Sequence, residues 1–309
     1  YNAYDYANTN YMLIFGASFL EAYRPYNNNL QVWGHILTKS PKTKVTAVDV
    51  HWNTTIAAAD RALLIRPGTD GALALAIAHV IMTEGLWDRN FVGDFKDGVN
   101  RFKVGEATLK PEDFNEKWTK GLIEWWNVEL KDRTPKWAEK ITSIAERDIV
   151  VVARELATTK PAMVLFERGP TAHSNGVYNG MAIHALNGLI GSMFAEGGLM
   201  NQMGVPYGKL PVSADDFMDD YAKADDRKQF PRIDLAGKDF LMASNQIQAI
   251  AAHHLAGKPY KLDTIMFFMT NPLYSYPEAR KWEEALQSMF VIDTSPFPGE
   301  VAMFADLVL

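Results

Sequence analysis

The sequence has 309 residues, of which 48% are hydrophobic and 22% charged, and its formal net charge is −6. This is about twice the usual domain length of ~150 residues, with enough apolar residues for a large core, so we expect two domains or one large α/β body. The acidic balance argues against a nucleic-acid or anionic-membrane partner, and the absence of cysteine excludes disulfides, a cysteine nucleophile and an iron–sulfur cluster held by this stretch.

No segment is apolar over a length that could span a bilayer. The longest apolar run, residues 72–82, falls well short of the ~20 residues required. The chain begins at Tyr1 rather than methionine, and residues 307–309 are apolar like the start of a strand. We therefore expect a part of a longer polypeptide, with any targeting signal outside it.

The first part of the chain alternates strands with helices, which indicates a parallel sheet. Strands are predicted at residues 10–15, 44–49 and 62–65. Gly16 and Ser18 form a tight turn after the first strand, and a helix-compatible stretch follows through Glu21. Asp70 is a natural helix cap and begins a helix that ends near residue 83.

The remaining elements suggest a second lobe of the same kind. Residues 88–135 are predicted to be a mostly helical insertion, and a strand at 162–166 opens the second lobe. Further helices are predicted at 144–157, 178–189, 245–255 and 278–286, and further strands at 264–269 and 290–293. The predicted domains are therefore residues 1–157 and 158–309. The six aspartates of residues 215–228 lack the spacing of a calcium loop and predict a solvated loop.

The two lobes share an internal pattern. In each, a turn follows the first strand, an aspartate ends the second strand and another precedes the third. The two aspartates are Asp49 and Asp60 in the first copy, and Asp293 and Asp306 in the second. This spacing predicts two similar Rossmann-like lobes with mostly parallel sheets, related by approximate internal twofold similarity, rather than a solenoid.

Several of these residues have the chemistry of a nucleotide site. Ligands of open parallel sheets bind outside the carboxyl ends of the strands, where a carboxylate such as Asp49 or Asp293 can accept from two ribose hydroxyls. Asp70 can accept the paired N–H donors of a guanine edge, which adenine lacks, and Gly68 permits close approach. The alternative is that these are ordinary turn glycines and helix caps.

The loop at residues 168–176 concentrates polar chemistry after a buried strand. It contains a guanidinium, the imidazole of His173, hydroxyls and the amide of Asn175. This composition indicates the wall of a site, and an ordinary turn with capping residues is the alternative. The nicotinamide, P-loop and His-Glu-x-x-His zinc motifs are absent.

The order of motifs resembles a known family. Residues 48–60, the Arg-Pro-Gly-Thr-Asp sequence at 66–70 with its alanine-rich helix, and residues 84–92 resemble the molybdopterin oxidoreductases of the dimethyl sulfoxide reductase family. The segment from 185 to the paired glycines at 197–198, Asn271-Pro272 and residues 305–309 continue the resemblance. It covers the two central lobes of a much longer catalytic subunit.

The resemblance implies two molybdopterin guanine dinucleotides, one per lobe, with molybdenum or tungsten. Gly68 and Gly169 would lie at the cofactor, and His173 and Asn175 would lie near the pterin and the substrate funnel. The residues implied for the first guanosine diphosphate are Gly16, Ser18, Glu21, Asp49, Thr54 and Asp70. Those implied for the second are Thr270, Asn271, Asp293 and Asp306. The metal-ligating residue and a 4Fe-4S cluster would belong to the longer protein, so no catalytic residue is assigned.

The implied function is oxygen-atom and electron-pair transfer. The nearest branch acts on sulfur or arsenic oxyanions in anaerobic respiration, which implies an extracytoplasmic (periplasmic) complex with an iron–sulfur subunit and a membrane quinone-reactive subunit. One alternative is a metal-free scaffold subunit of a quinone-linked electron-transfer complex. Another is a two-lobed solute-binding protein, which Asp70 does not favour.

Overall fold

The computed structural model describes residues 2–106, 109–204, 206–208, 232–236, 239 and 244–309. It divides into two compact units, Tyr1–Pro206 and Tyr207–Leu309. The acidic segment 215–228, predicted to be a solvated loop, lies outside the described residues. In the part of the chain that is described, no helix is both long and apolar enough to cross a membrane.

The first unit contains eight described strands and eight described helices. The strands are β1 (Asn2–Tyr4), β2 (Tyr11–Phe15), β3 (Lys44–Asp49), β4 (Arg61–Leu64), β5 (Gly93–Phe95), β6 (Phe114–Glu116), β7 (Ala162–Phe166) and β8 (Leu199–Asn201). The helices are α1 (Tyr26–Thr38), α2 (Thr54–Ala58), α3 (Asp70–Thr83), α4 (Leu122–Val128), α5 (Pro135–Thr142), α6 (Glu146–Thr158), α7 (Arg168–Thr171) and α8 (Gly176–Leu189).

A four-stranded parallel sheet forms the centre of this unit, in the order β4-β3-β2-β7. Every residue of β2 is buried. Successive side chains of a strand point to opposite faces, and accordingly Tyr11, Leu13 and Phe15 join one apolar cluster while Met12 and Ile14 join another. Both faces are thus covered, as a parallel sheet requires.

The strand order corrects the predicted lobe boundary. Strand β7 was expected to open the second lobe, yet it pairs with β2 along its whole length, from Tyr11–Ala162 to Phe15–Phe166. The boundary between the compact units therefore falls after Pro206 rather than after residue 157. Helices α3 and α8 also pack on each other, which joins this segment to the first unit.

Two local expectations also differ from the structure. The predicted helical insertion at 88–135 includes an antiparallel pair, β5 with β6, besides α4. Its aromatic residues Phe95, Phe102 and Phe114 form a cluster with Trp87, which directly precedes the insertion. The stretch after Ser18 is a series of turns, and the first helix begins only at Tyr26.

The second unit is a smaller α/β body. Its described elements are α9 (Ile250–Ala256), β9 (Thr264–Phe268), α10 (Pro272–Ser275), α11 (Ala279–Leu286), β10 (Phe290–Thr294) and β11 (Leu307–Val308). The strands form a parallel sheet in the order β11-β10-β9. Phe267, Trp282 and Val291 lie in its core. The predicted mixed α/β fold with parallel sheets is confirmed.

Candidate functional site

The predicted site residues of the first unit lie at one edge of its sheet. The turns after β2, β3, β4 and β7 all leave the carboxyl ends of parallel strands, where backbone N–H groups and helix N-termini are available to a ligand. These turns and the residues that follow them carry Gly16, Ser18, Glu21, Asp49, Thr54, Gly68, Asp70, Gly169, His173 and Asn175.

The turns after β2 and β7 approach each other at backbone distance. Gly16 has a φ of +51°, and a Cβ placed on it would lie 2.5 Å from Cδ of Pro170. A Cβ on Gly169 would lie 2.8 Å from the carbonyl oxygen of Gly16. Any larger residue at either position would push the two turns apart, so both glycines are required by the packing itself.

A cleft of about 1190 Å³ opens beside Gly16 and Ser18. Its walls include residues that were not predicted from the sequence to belong to a site: Tyr4, Tyr6, Tyr23, Arg24, Glu167 and Arg168. Burial raises the pKa of all three tyrosines, which keeps their phenols protonated and able to donate. The tyrosine-rich N-terminal segment was the signal that could have identified them.

Asp49 ends β3 in a largely buried position, with 8% of its surface exposed. Its carboxylate accepts from the amide of Val50 at 2.7 Å and from Nδ2 of Asn53 at 2.8 Å. The Nδ1 atom of His51 lies 3.4 Å from Oδ1. Asn53 was not predicted, although it caps α2 by accepting from the amide of Ile56 and could have been recognised as a cap before Thr54.

Glu21 and Thr54 bind each other. The carboxylate of Glu21 accepts from both the amide and the hydroxyl of Thr54, and these hydrogen bonds lower the pKa of Glu21. The pair links the turn after β2 to the N-terminus of α2. It is exposed, so a ligand at this edge can reach it.

Asp70 is a buried carboxylate with few hydrogen-bond donors around it. It is 3% exposed and is the first residue of α3. The one hydrogen bond that its carboxylate accepts from the described residues comes from its own amide. Burial raises the pKa of Asp70, while nearby His173 opposes that rise and Asp49 adds to it.

The two residues predicted to lie near the pterin and the substrate funnel have different neighbours. His173 lies beside Gly68 and Asp70. Asn175 instead lines a second, mostly apolar groove of about 1000 Å³ together with Gly71, Trp125 and Tyr178.

In the second unit, predicted residues lie at the carboxyl ends of β9 and β10. Asp293 is 1% exposed and accepts from the hydroxyl of Ser295 at 2.6 Å. Thr270 and Asn271 follow β9, and Nδ2 of Asn271 donates to Glu300. The Oδ1 atom of Asn271 is buried with no hydrogen-bond partner within the described ranges.

The place of Asp306 in the sheet differs from the one expected. It precedes β11 and accepts the amide of Val291, near the start of β10, at 2.8 Å. It therefore lies at the amino edge of the sheet, opposite the predicted nucleotide site. Asp60 does the same in the first unit by accepting the amide of Val45 at 2.9 Å. In both units, the aspartate before the third strand of the sheet thus accepts a hydrogen bond from the neighbouring strand.

Neither unit holds a protein-only metal centre in its described residues, where no three His, Asp or Glu side chains group closely enough to bind an ion. The residues at the carboxyl edge of the sheet are instead glycine turns, carboxylates and cations. Such a set can hold a nucleotide-bearing group but does not by itself activate a metal-bound water.

Comparison with known proteins gives one consistent result. The family model described as molybdopterin oxidoreductase matches residues 2–309. The molybdopterin-containing subunit of the arsenate respiratory reductase of Chrysiogenes arsenatis is 40% identical over 319 aligned positions, which cover 100% of this chain and 37% of that protein. The thiosulfate reductase subunit PhsA of Salmonella typhimurium is 27% identical, over 99% of this chain and 38% of its own length.

A solved structure supports the fold. Acetylene hydratase from Pelobacter acetylenicus superposes with a TM-score of 0.67 at 20% identity, covering 100% of this chain and 42% of that one. The chain thus spans a little over a third of the length of these relatives.

Proposed function

Since the chain belongs to the molybdopterin oxidoreductase family, we propose that it forms the cofactor-holding part of an enzyme with two molybdopterin guanine dinucleotides. The substrate is a sulfur or arsenic oxyanion reduced in anaerobic respiration, in line with the names of two relatives. The observation that carries the proposal is the buried carboxylate of Asp70, placed among glycine turns at the carboxyl edge of the sheet.

The residues at this edge fit such a cofactor. The glycine turns at Gly16 and Gly169 would let a diphosphate approach the backbone closely, and Asp49 is placed for a ribose. Asp70 lacks a donor from any other described residue, and the N–H edge of guanine would supply two. In the second unit, the partnerless Oδ1 of Asn271 is a further buried acceptor that a ligand can satisfy.

The likeness of the two units supports one nucleotide in each. In both sheets, a buried aspartate lies at the carboxyl end of an inner strand, Asp49 in β3 and Asp293 in β10. We extend the proposal to the rest of the assembly. The longer protein would carry a 4Fe-4S cluster and work at the periplasmic face with an iron–sulfur subunit and a membrane quinone-reactive subunit.

The chain's own residues bind and orient rather than react. The bound metal and its dithiolenes would supply the two-electron chemistry. The glycine turns would fix the position of the diphosphate, and the carboxylates would fix the ribose and base. Arg24 and Arg168 of the cleft would donate hydrogen bonds to anionic groups.

Analysis of the protein from a cofactor-replete host tests the proposal. Hydrolysis of the bound cofactor should release two guanosine monophosphates for each metal atom, with molybdenum or tungsten close to one per chain. Release of another nucleotide, or of none, would refute the guanine site. Nucleotide without metal would favour the scaffold alternative.

A further inference from the structure

The charge state of Asp70 depends on few neighbours. Besides burial, the groups that act on its carboxylate are His173, from the segment between β7 and α8, and Asp49, from the end of β3. Behind Asp49, His51 lies 3.4 Å from its Oδ1. Asp49 is largely satisfied by Val50 and Asn53, whereas Asp70 has no comparable donor.

The imidazole of His173 lies against the turn that leads to Asp70. Three of its ring atoms, Nδ1, Cε1 and Cγ, are 3.6, 3.7 and 3.8 Å from a Cβ built on Gly68. Nearly equal distances to several ring atoms mean that the face of the ring covers this position. Gly68 also has a φ of +76°, a conformation that favours glycine.

The packing of two helices holds His173 in this place. The first turn of α3 meets α8 so closely that a Cβ on Gly71 would collide with the side chain of Asn179. Asn179 in turn donates from Nδ2 to the carbonyl oxygen of Pro170 at 3.0 Å. The segment carrying His173 is thus fixed at both ends relative to Asp70.

We infer that His173 is a positioning residue for Asp70: its charged form keeps the carboxylate ionised, so that the carboxylate can accept both N–H groups of a guanine. The inference rests on the proposed guanine site. It gives His173 a role in cofactor recognition, whereas the resemblance implied a place near the pterin and the substrate funnel.

The chemistry of the pair gives this role a distinctive signature. A carboxylic acid keeps an O–H donor that opposes a guanine donor, so only the ionised form of Asp70 matches the base edge. Imidazoles ordinarily change charge between pH 5 and 8. Because burial raises the pKa of Asp70, its carboxylate binds a proton more readily at the low end of this range, so the effect of a neighbouring charged group should be largest at low pH and smallest at high pH.

The test is the affinity of the 309-residue chain for guanosine diphosphate, measured by titration calorimetry from pH 5.5 to 8.5. His173→Gln should weaken binding by roughly three- to tenfold at pH 5.5 and by less than about twofold at pH 8.5. His173→Lys, which is charged throughout, should restore affinity at pH 5.5. His35→Gln, an exposed histidine of α1, is the matched control and should change nothing.

The outcomes separate the two claims. If the unchanged chain binds guanosine and adenosine diphosphates equally or not at all, the guanine site itself is refuted and the inference with it. If the unchanged chain prefers guanine but His173→Gln binds equally well at every pH, only the inference fails. An equal loss at every pH would make His173 a direct contact and would also overturn the inference.

Discussion

Substitution of Asp70 should stabilise the ligand-free protein and weaken nucleotide binding. The substitution Asp70→Asn keeps the shape of the side chain but removes a buried carboxylate whose one hydrogen bond from described residues is with its own amide. Burying an ionised carboxylate costs more free energy than burying the neutral amide that replaces it, by about 1 to 3 kcal/mol, partly offset by the ~0.5 kcal/mol that an acid gains at a helix N-terminus. We therefore expect the ligand-free variant to be more stable by about 1 kcal/mol, or about 2 to 4 °C in Tm.

The pH dependence of this effect follows from the raised pKa of Asp70. The folded chain holds the proton at pH values where the unfolded chain has already lost it, so the stability associated with this group falls as pH rises above about 3.9. The advantage of Asp70→Asn should thus grow with pH, until the pH passes the pKa of Asp70 in the folded chain, and then remain constant. Differential scanning calorimetry across this range measures it.

Binding should change in the opposite direction. Two charge-assisted hydrogen bonds to guanine are worth roughly 1.5 to 3 kcal/mol each, and an asparagine oxygen can replace only one of them, weakly. Affinity for guanosine diphosphate should fall by about 3 kcal/mol, roughly a hundredfold. The unchanged protein should prefer guanosine over inosine diphosphate, which lacks one donor.

The surface substitution Glu139→Gln is the control, because that side chain is exposed and forms no ion pair with the described residues. It should alter neither Tm nor affinity. A lower Tm for Asp70→Asn, or unchanged discrimination between the two nucleotides, would refute the reasoning.

Three further predictions test packing and pH. Gly16→Ala should destabilise the first unit by about 2 to 4 kcal/mol in urea unfolding, because the left-handed backbone and the contact with Pro170 both oppose a Cβ; an unchanged midpoint would contradict this. Burial lowers the pKa of His79, so its contribution to stability should fall as pH drops below about 6.5, and His79→Gln should flatten the Tm profile there; an identical profile would exclude it. Asp306→Ala should cost about 1 to 2 kcal/mol of unfolding free energy without weakening guanosine diphosphate binding, and a loss of affinity would restore its predicted ligand role.

Local sequence patterns predicted most of the secondary structure. The apolar runs at 10–15, 44–49 and 264–269 correspond to β2, β3 and β9, because buried parallel strands are continuous in hydrophobicity. The pairing of the strands was harder to predict from local sequence patterns. The run at 162–166 has the composition of any buried strand, and nothing local shows that its partner is β2, about 150 residues away in the chain.

The site was predictable where backbone geometry dictates residue type. Gly16 and Gly68 stand at positive φ beside strand ends, and the sequence marked both as turns. The mutual bonding of Glu21 with Thr54 was not predictable, since each residue has equally suitable chemistry for a ligand. Sequence shows which groups can donate and accept, whereas only the fold shows which are already satisfied.

The aspartates illustrate this distinction most directly. Asp60 and Asp306 drew attention because they repeat, and both have their carboxylates occupied by a strand amide. Asp70 does not repeat in the second unit's pattern, yet it is the buried carboxylate that lacks a donor from any other described residue. The repeated aspartates therefore indicate hydrogen bonds that the parallel sheet needs in order to form. A buried carboxylate without a donor from its surroundings indicates instead which hydrogen bonds a ligand has to supply. On that reasoning the guanine proposal depends on Asp70 rather than on the internal repeat.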